Sequence, residues 1–149
     1  GGGSLSITDP RRLGGVLLDP DESRLGADAM AVTPEQLAAA LRGANAPVKA
    51  RLMDQARLAG LGNLLTDESL WRAGIDPARP AGSLDADEVR ALHDAIHETL
   101  DTLGRRGGSH TGDLQPHRER GGVCPRDGTP LERRVVGGRT TYSCPQHQR

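Results

Sequence analysis

Phenylalanine is absent from this sequence, and there is one tryptophan and one tyrosine. Any core must therefore be built from Leu, Ala, Val and Ile, and 149 residues of that composition allow one modest core with a small satellite module beside it. No stretch is long and apolar enough to span a membrane and no secretory leader is visible, so we expect a cytosolic protein. The two cysteines, in a reducing compartment, are expected to be metal ligands or free thiols rather than a disulfide. Lysine is scarce as well, and the Ala- and Arg-rich usage points to a high-GC bacterial source.

An excess of positive charge is also missing, since the formal net charge is −1. The distribution is uneven, however. Residues 1–103 carry ten Arg or Lys against sixteen Asp or Glu, whereas residues 104–149 carry nine against four. An acidic body with a basic end can still present one positive face to a phosphate backbone.

What the sequence does contain is a helical core pattern with clear punctuation. Leu5 to Thr8 and Gly15 to Leu18 read as two short strands, too little for an independent sheet, and residues 19–31 read as an acidic linker. Thr33 caps a helix that opens on Pro34 and runs to Arg42, where residues 43–47 break it. A pair of helices follows, Val48 to Gln55 and Asn63 to Ala73, joined at Gly60-x-Gly62-Asn63. Both glycines can take positive φ, so the chain can reverse while the amides of residues 61–63 open at the start of the second helix. Such a terminus attracts anions, and with Lys49 and Arg51 one turn before the reversal the natural anion is a phosphate. Gly74 caps the second helix. From Ser83 onward Leu84, Val89, Leu92, Ile96, Leu100 and Leu103 form the apolar stripe of a fourth helix, to about Arg105.

Between these elements, Glu68 reads as a helix-surface or capping acid, Trp71 as a core or interface residue, and Asp54 as a local partner of Arg51 or Arg57. His93 and His97, one turn apart, read as the half-exposed polar face of a long helix. Residues 107–113 are a loop.

Near the end, Cys124-x-x-Asp127 and Cys144-x-x-His147 bracket a hairpin pattern with a Gly137-Gly138 turn. Two such knuckles bring four side chains to one point, the geometry of a tetrahedral structural zinc. Asp is the least common ligand of such sites, so a hairpin held by packing alone, or one in which water or another histidine replaces Asp127, stays open. A hairpin this short has little core of its own, which favours the metal.

Lys49-x-x-Leu52-Met53-Asp54-Gln55, followed by Gly60-x-Gly62-Asn63 and Glu68-x-Leu70, resembles the helix-two-turn-helix signature of the formamidopyrimidine-DNA glycosylase and endonuclease VIII family of base-excision repair enzymes. Asp9 to Gly14 is similar to that family's Asp-Pro-Arg-Arg-Phe-Gly segment, and Cys124 to His147 resembles its C-terminal zinc hairpin. The resemblance covers nearly the whole chain but corresponds to the later part of the family's usual length. It implies a mainly α fold with small β, in which remnant strands of a β-sandwich and a linker (1–32) precede a four-helix helix-two-turn-helix module (33–107), a linker (108–121) and a zinc-ribbon-like β-hairpin (122–149).

The same resemblance implies double-stranded damaged DNA as partner, with no membrane and no obligate protein partner. Lys49, Gly62 and Asn63 on one module and Arg139 on the other would grip phosphates flanking the lesion. Arg11 and Leu13 would fill the gap left by an everted base, Leu13 as a smaller wedge than the family's Phe. One structural zinc ion would sit on Cys124, Asp127, Cys144 and His147, where the family has four cysteines. The family's chemistry uses an N-terminal proline followed by glutamate, the amine attacking the sugar to expel an oxidised base and cleave the strand. This sequence opens Gly1-Gly2-Gly3, so no catalytic residue is assigned. Two expectations result: the DNA-binding portion of a bifunctional DNA glycosylase and abasic-site lyase, or a freestanding, non-catalytic nucleic-acid-binding module.

Overall fold

A computed structural model describes Ser6 and residues 18–149. The two strands expected near the start, together with Arg11 and Leu13, lie outside the described residues apart from these ends. The fold is mainly helical, with one small antiparallel hairpin.

Helix α1 (Pro34–Leu41) starts where Thr33 and Gln36 form a reciprocal capping box, each side chain taking the other's backbone N–H. Helix α2 (Val48–Leu52) is shorter than the sequence suggests and ends at Leu52, not Gln55. The reason is local: the Asp54 carboxylate accepts from the Ala56 amide at 3.1 Å, and this turn captures the chain before a further helical turn can form. Helix α3 (Asn63–Ala73) closes on Gly74 at φ +72°. Helix α4 (Ala86–Arg105) has a second capping box, between Asp85 and Glu88, and turns Val89, Leu92, Ile96 and Leu103 inward.

The segment expected to be a linker is part of this body. Strand β1 (Ala27–Asp28) pairs in parallel with β2 (Leu58–Ala59), and Ala29 and Val32 enter the core with Leu37, Val48, Leu58 and Leu70. Two-residue strands carry no readable period, so only the packed structure reveals them. His93 and His97 complete the attachment, both donating Nε2–H to the Val32 carbonyl at 3.0 and 3.2 Å.

Helix α3 is the centre of the molecule. It packs on α4, on α2 and on strand β4 (Arg139–Ser143), which pairs with β3 (Glu132–Val136) in the terminal hairpin. As a result Thr66 to Trp71 are six consecutive buried residues, four of them polar. A second apolar cluster of Trp71, Leu114, Cys124 and Cys144 joins α3 to the hairpin. The chain end locks onto the same helix, with reciprocal backbone bonds of 3.0 Å from Asp76 N to Arg149 O and from Arg149 N to Gly74 O. Among the described residues no helix is long and apolar enough to cross a membrane.

Candidate phosphate groove and metal cluster

Gly60 makes the reversal between β2 and α3 at φ +102°, a conformation that favours glycine. Gln55 sews the turn: its amide nitrogen donates to the carbonyls of Met53 (3.2 Å) and Leu61 (3.0 Å), and its oxygen accepts from Gly60 N (3.0 Å). Gly62 does not need positive φ. It is extended at −97°, caps α3 without a side chain, and a Cβ added there would meet nothing within 4 Å. No side chain caps the start of α3, and the space beside Gly62 is open.

Asn63, the first residue of α3, donates its Nδ2 to the Thr140 carbonyl at 3.3 Å, while its Oδ1 is buried without a partner. That bond brings the tip of β4 to the helix terminus. Met53, Gln55, Leu61, Gly62, Asn63 and Arg139 then line one groove, with Arg139 exposed at its rim. The structure thus brings together Gly62, Asn63 and Arg139 from distant parts of the chain.

Lys49 is placed differently from the sequence expectation. Its side chain is 0% exposed, and its ammonium is 2.7 Å from the Asp67 carboxylate, 2.7 Å from Thr141 Oγ1 and 3.2 Å from the Thr140 carbonyl. With its donors committed inside the protein, it holds the hairpin rather than offering a free charge to a phosphate. Burial pushes its pKa down, and the Asp67 carboxylate opposes that shift. Asp67 also pairs with Arg118, which lies over the Tyr142 ring at 5.3 Å. Asp67 and Arg118 escaped the sequence because a Thr-Asp-Glu-Ser run on a helix reads as a solvated face. Glu68 is likewise not a surface acid: at 3% exposure it accepts from the amides of Asp113 (3.1 Å) and Leu114 (3.0 Å) and pairs with Arg72 (3.1 Å).

At the other end of the hairpin, Cys124, Asp127, Cys144 and His147 converge, with one ligand atom of each within 4.8 Å of the others. Cys124 Sγ is 3.7 Å from His147 Nδ1, Cys144 Sγ 3.3 Å from Asp127 Oδ2, and His147 Nδ1 3.0 Å from the same oxygen. A tetrahedron with zinc–sulfur bonds of about 2.3 Å and zinc–nitrogen or –oxygen bonds of about 2.1 Å has edges of about 3.3–3.8 Å. The donor set suits such an ion: the 3.7 and 3.3 Å separations match tetrahedral edges, and the 3.0 Å contact between His147 and Asp127 would lengthen to admit it. The Thr129 amide, at 2.9 Å, holds Asp127 well below the usual carboxylate range, whereas burial pushes the Cys144 thiol up. His147 Nε2 lies 3.2 Å from the Trp71 carbonyl, which can only accept, so Nε2 carries a proton, and Nδ1, the nitrogen aimed at the cluster, is the one that would ligate a metal. The Trp71 indole N–H donates to Cys124 Sγ at 3.3 Å.

Residues 25–113 match the formamidopyrimidine-DNA glycosylase H2TH domain. The formamidopyrimidine-DNA glycosylase of Roseiflexus sp. is 38% identical over 170 residues, a match covering 99% of this chain and 62% of that protein. That of Chloroflexus aggregans is 38% identical over 166 residues, covering 97% and 60%. The chain thus spans less than two thirds of the length of these relatives. Among solved structures, a complex of Lactococcus lactis Fpg with DNA containing an abasic site superposes with a TM-score of 0.75 at 29% identity, over 85% of this chain and 52% of that one. A complex of the same enzyme with DNA containing Fapy-dG gives 0.75 at 30% identity, over 85% and 51%.

Proposed function

The chain belongs to the formamidopyrimidine-DNA glycosylase family, and from that membership we propose that it grips duplex DNA around a damaged nucleotide, as the DNA-binding portion of a base-excision repair glycosylase and abasic-site lyase. The observation that carries the proposal is the shared groove of Gly62, Asn63 and Arg139 at the uncapped start of α3. One phosphate there meets backbone N–H groups, the positive end of a helix and a guanidinium able to donate two parallel hydrogen bonds. Such contacts position the duplex and are blind to sequence. The Lactococcus relatives, held on abasic and Fapy-dG DNA, support damaged duplex as the partner. By family resemblance, Arg11 and Leu13, which lie outside the described residues, would fill the space an everted base leaves.

No amine nucleophile is assigned to the described residues. Lys49 is the only lysine of the chain, and it is buried and ion-paired. Base removal and strand cleavage are therefore assigned to the family's catalytic half, not to the groove.

One structural zinc held by Cys124, Asp127, Cys144 and His147 completes the reading. When bound, the ion supplies a cross-link between the segments that precede β3 and follow β4, fixing the hairpin that presents Arg139.

Titration of labelled duplex with a central abasic site tests the grip. Asn63→Ala and Arg139→Ala should both weaken binding on every sequence tried, and Arg139→Ala should reduce the slope of log affinity against log salt by about 1. Wild-type affinity in both variants overturns the proposal, and so does tighter binding to single-stranded RNA of the same length.

A further inference from the structure

Two of the four cluster residues are held by one side chain and backbone outside the cluster. Trp71, in the last turn of α3, donates its indole N–H to Cys124 Sγ at 3.3 Å and offers its carbonyl to His147 Nε2 at 3.2 Å. The ring is 7% exposed, meets the His147 ring edge-on with centroids 6.0 Å apart, and carries the Arg126 guanidinium 4.9 Å above its face. Arg126 in turn donates to the Arg72 carbonyl at 3.3 Å. Both cluster contacts therefore come from a helix whose position is already fixed by α4 and β4.

We infer that Trp71 is the positioning residue of the metal site, fixing the Cys124 sulfur through its indole N–H and the His147 ring through its carbonyl. This rests on the metal reading above. A hydrogen bond to a thiolate fixes the orientation of the sulfur and favours the ionised form that binds metal, while drawing off some of the electron density donated to the cation. A histidine whose Nε2 proton is committed to a carbonyl has one nitrogen left to ligate, already aimed at the site. The two effects pre-orient ligands from both knuckles, Cys124 from the first and His147 from the second. Unlike Cys124 and Cys144, Asp127 is exposed, and its anchor is local, the Thr129 amide two residues on at 2.9 Å. Because Trp71 is the chain's one tryptophan, its fluorescence also reports on the cluster alone.

The test uses the full chain stripped with a chelator and titrated with cobalt(II), whose absorption reports thiolate ligation, followed by displacement with zinc. Trp71→Phe keeps the carbonyl and an aromatic ring and removes the N–H together with the five-membered ring that carries it. We expect it to bind cobalt about tenfold more weakly, the lower end of the range for outer-shell partners. Its thiolate-to-metal charge-transfer band should move to longer wavelength, because the sulfur has lost its hydrogen bond. A merely structural role would leave that band in place. In the wild type, indole emission should change with one equivalent of metal and return on chelation. An unshifted band and unchanged affinity in Trp71→Phe overturn the inference while leaving the metal reading intact. Failure of the wild type to bind cobalt or zinc overturns the metal reading itself. If Trp71→Phe does not fold, replacing the single tryptophan with benzothienylalanine, which has the indole shape but no N–H, gives the same two readouts.

Discussion

The Lys49 ammonium lies 2.7 Å from the Asp67 carboxylate, and neither side chain is exposed to solvent. This contact joins α2 to α3 and, through Lys49, both to Thr140 and Thr141 of the hairpin. Asp67 serves Arg118 as well, so one carboxylate balances two cations. The groove walls are thus set by a buried charge network a few residues from Asn63 and Arg139.

The imbalance orders the effects of removing each partner. Lys49→Met leaves Asp67 paired with Arg118 and should cost about 3 kcal/mol, whereas Asp67→Asn leaves two cations without a counter-charge and should cost about 5 kcal/mol. Urea unfolding with unchanged slopes measures both. A smaller loss for Asp67→Asn than for Lys49→Met contradicts the network.

Glu68 is the attachment point of the loop after α4. Its two oxygens accept separately from the Asp113 and Leu114 amides. Either orientation of a glutamine in its place turns an NH2 group toward a backbone N–H, so Glu68→Gln should cost about 2–3 kcal/mol despite its near-identical shape. Amide hydrogen exchange at residues 113 and 114 should accelerate in that variant, and unchanged protection there would remove Glu68 from this role.

The two glycines before α3 should separate stability from binding. Gly60→Ala has room for its Cβ, 3.7 Å from the nearest atom, but must hold φ +102°, at a cost of about 1–2 kcal/mol. Gly62→Ala has neither clash nor strain, so thermal stability should change by less than about 0.5 kcal/mol. On the proposed function, the new methyl still weakens duplex binding severalfold by standing where a phosphate approaches. Full binding by Gly62→Ala would show that the backbone there is not approached closely.

Arg79 and Glu88 form a bidentate pair at 2.6 and 2.8 Å. The Arg79 hydrogen bonds, with the Asp85 amide, hold the Glu88 carboxyl below its ordinary value of 4.5. The folded state therefore binds this proton less readily than the unfolded state. The pair's contribution is complete above pH 4.5 and is lost as pH falls through the lower folded value. Melting curves from pH 6 to pH 3 should show a shallower decline for Glu88→Gln than for the wild type. Some slope should remain, because Asp113 is also held low, by Arg106. Identical pH dependence in the two proteins would exclude the pair as a source.

Much of the helical frame is legible in the sequence because its signals are local. Thr33 before Pro34, Gly74 after Ala73, and the stripe from Val89 to Leu103 each act within a turn or two of the chain, and the structure follows them. The knuckles are legible for a similar reason, since fixed spacings on either side of a hairpin bring four ligating atoms together. The missed features lack a local signal. β1 and β2 are two residues each, and their partners, Ala27 with Leu58 and Asp28 with Ala59, are 31 positions apart. Asp67 and Glu68 look solvated because a helix surface is solvated by default, and nothing in their neighbours says that β4 and residues 112–114 will cover them.

The sequence by itself determined the four helices, the caps at Thr33 and Gly74, the hairpin and the family, because each rests on short-range backbone preference or on a dense run of characteristic residues. Tertiary structure alone decided which charges stay free. Packing α3 between α4 and the hairpin buried Lys49 with Asp67 and left Arg139 at the rim beside Asn63. A cation far along the chain becomes a structural tie or an anion ligand according to whether a carboxylate reaches it inside the core, and that depends on contacts across more than 70 residues.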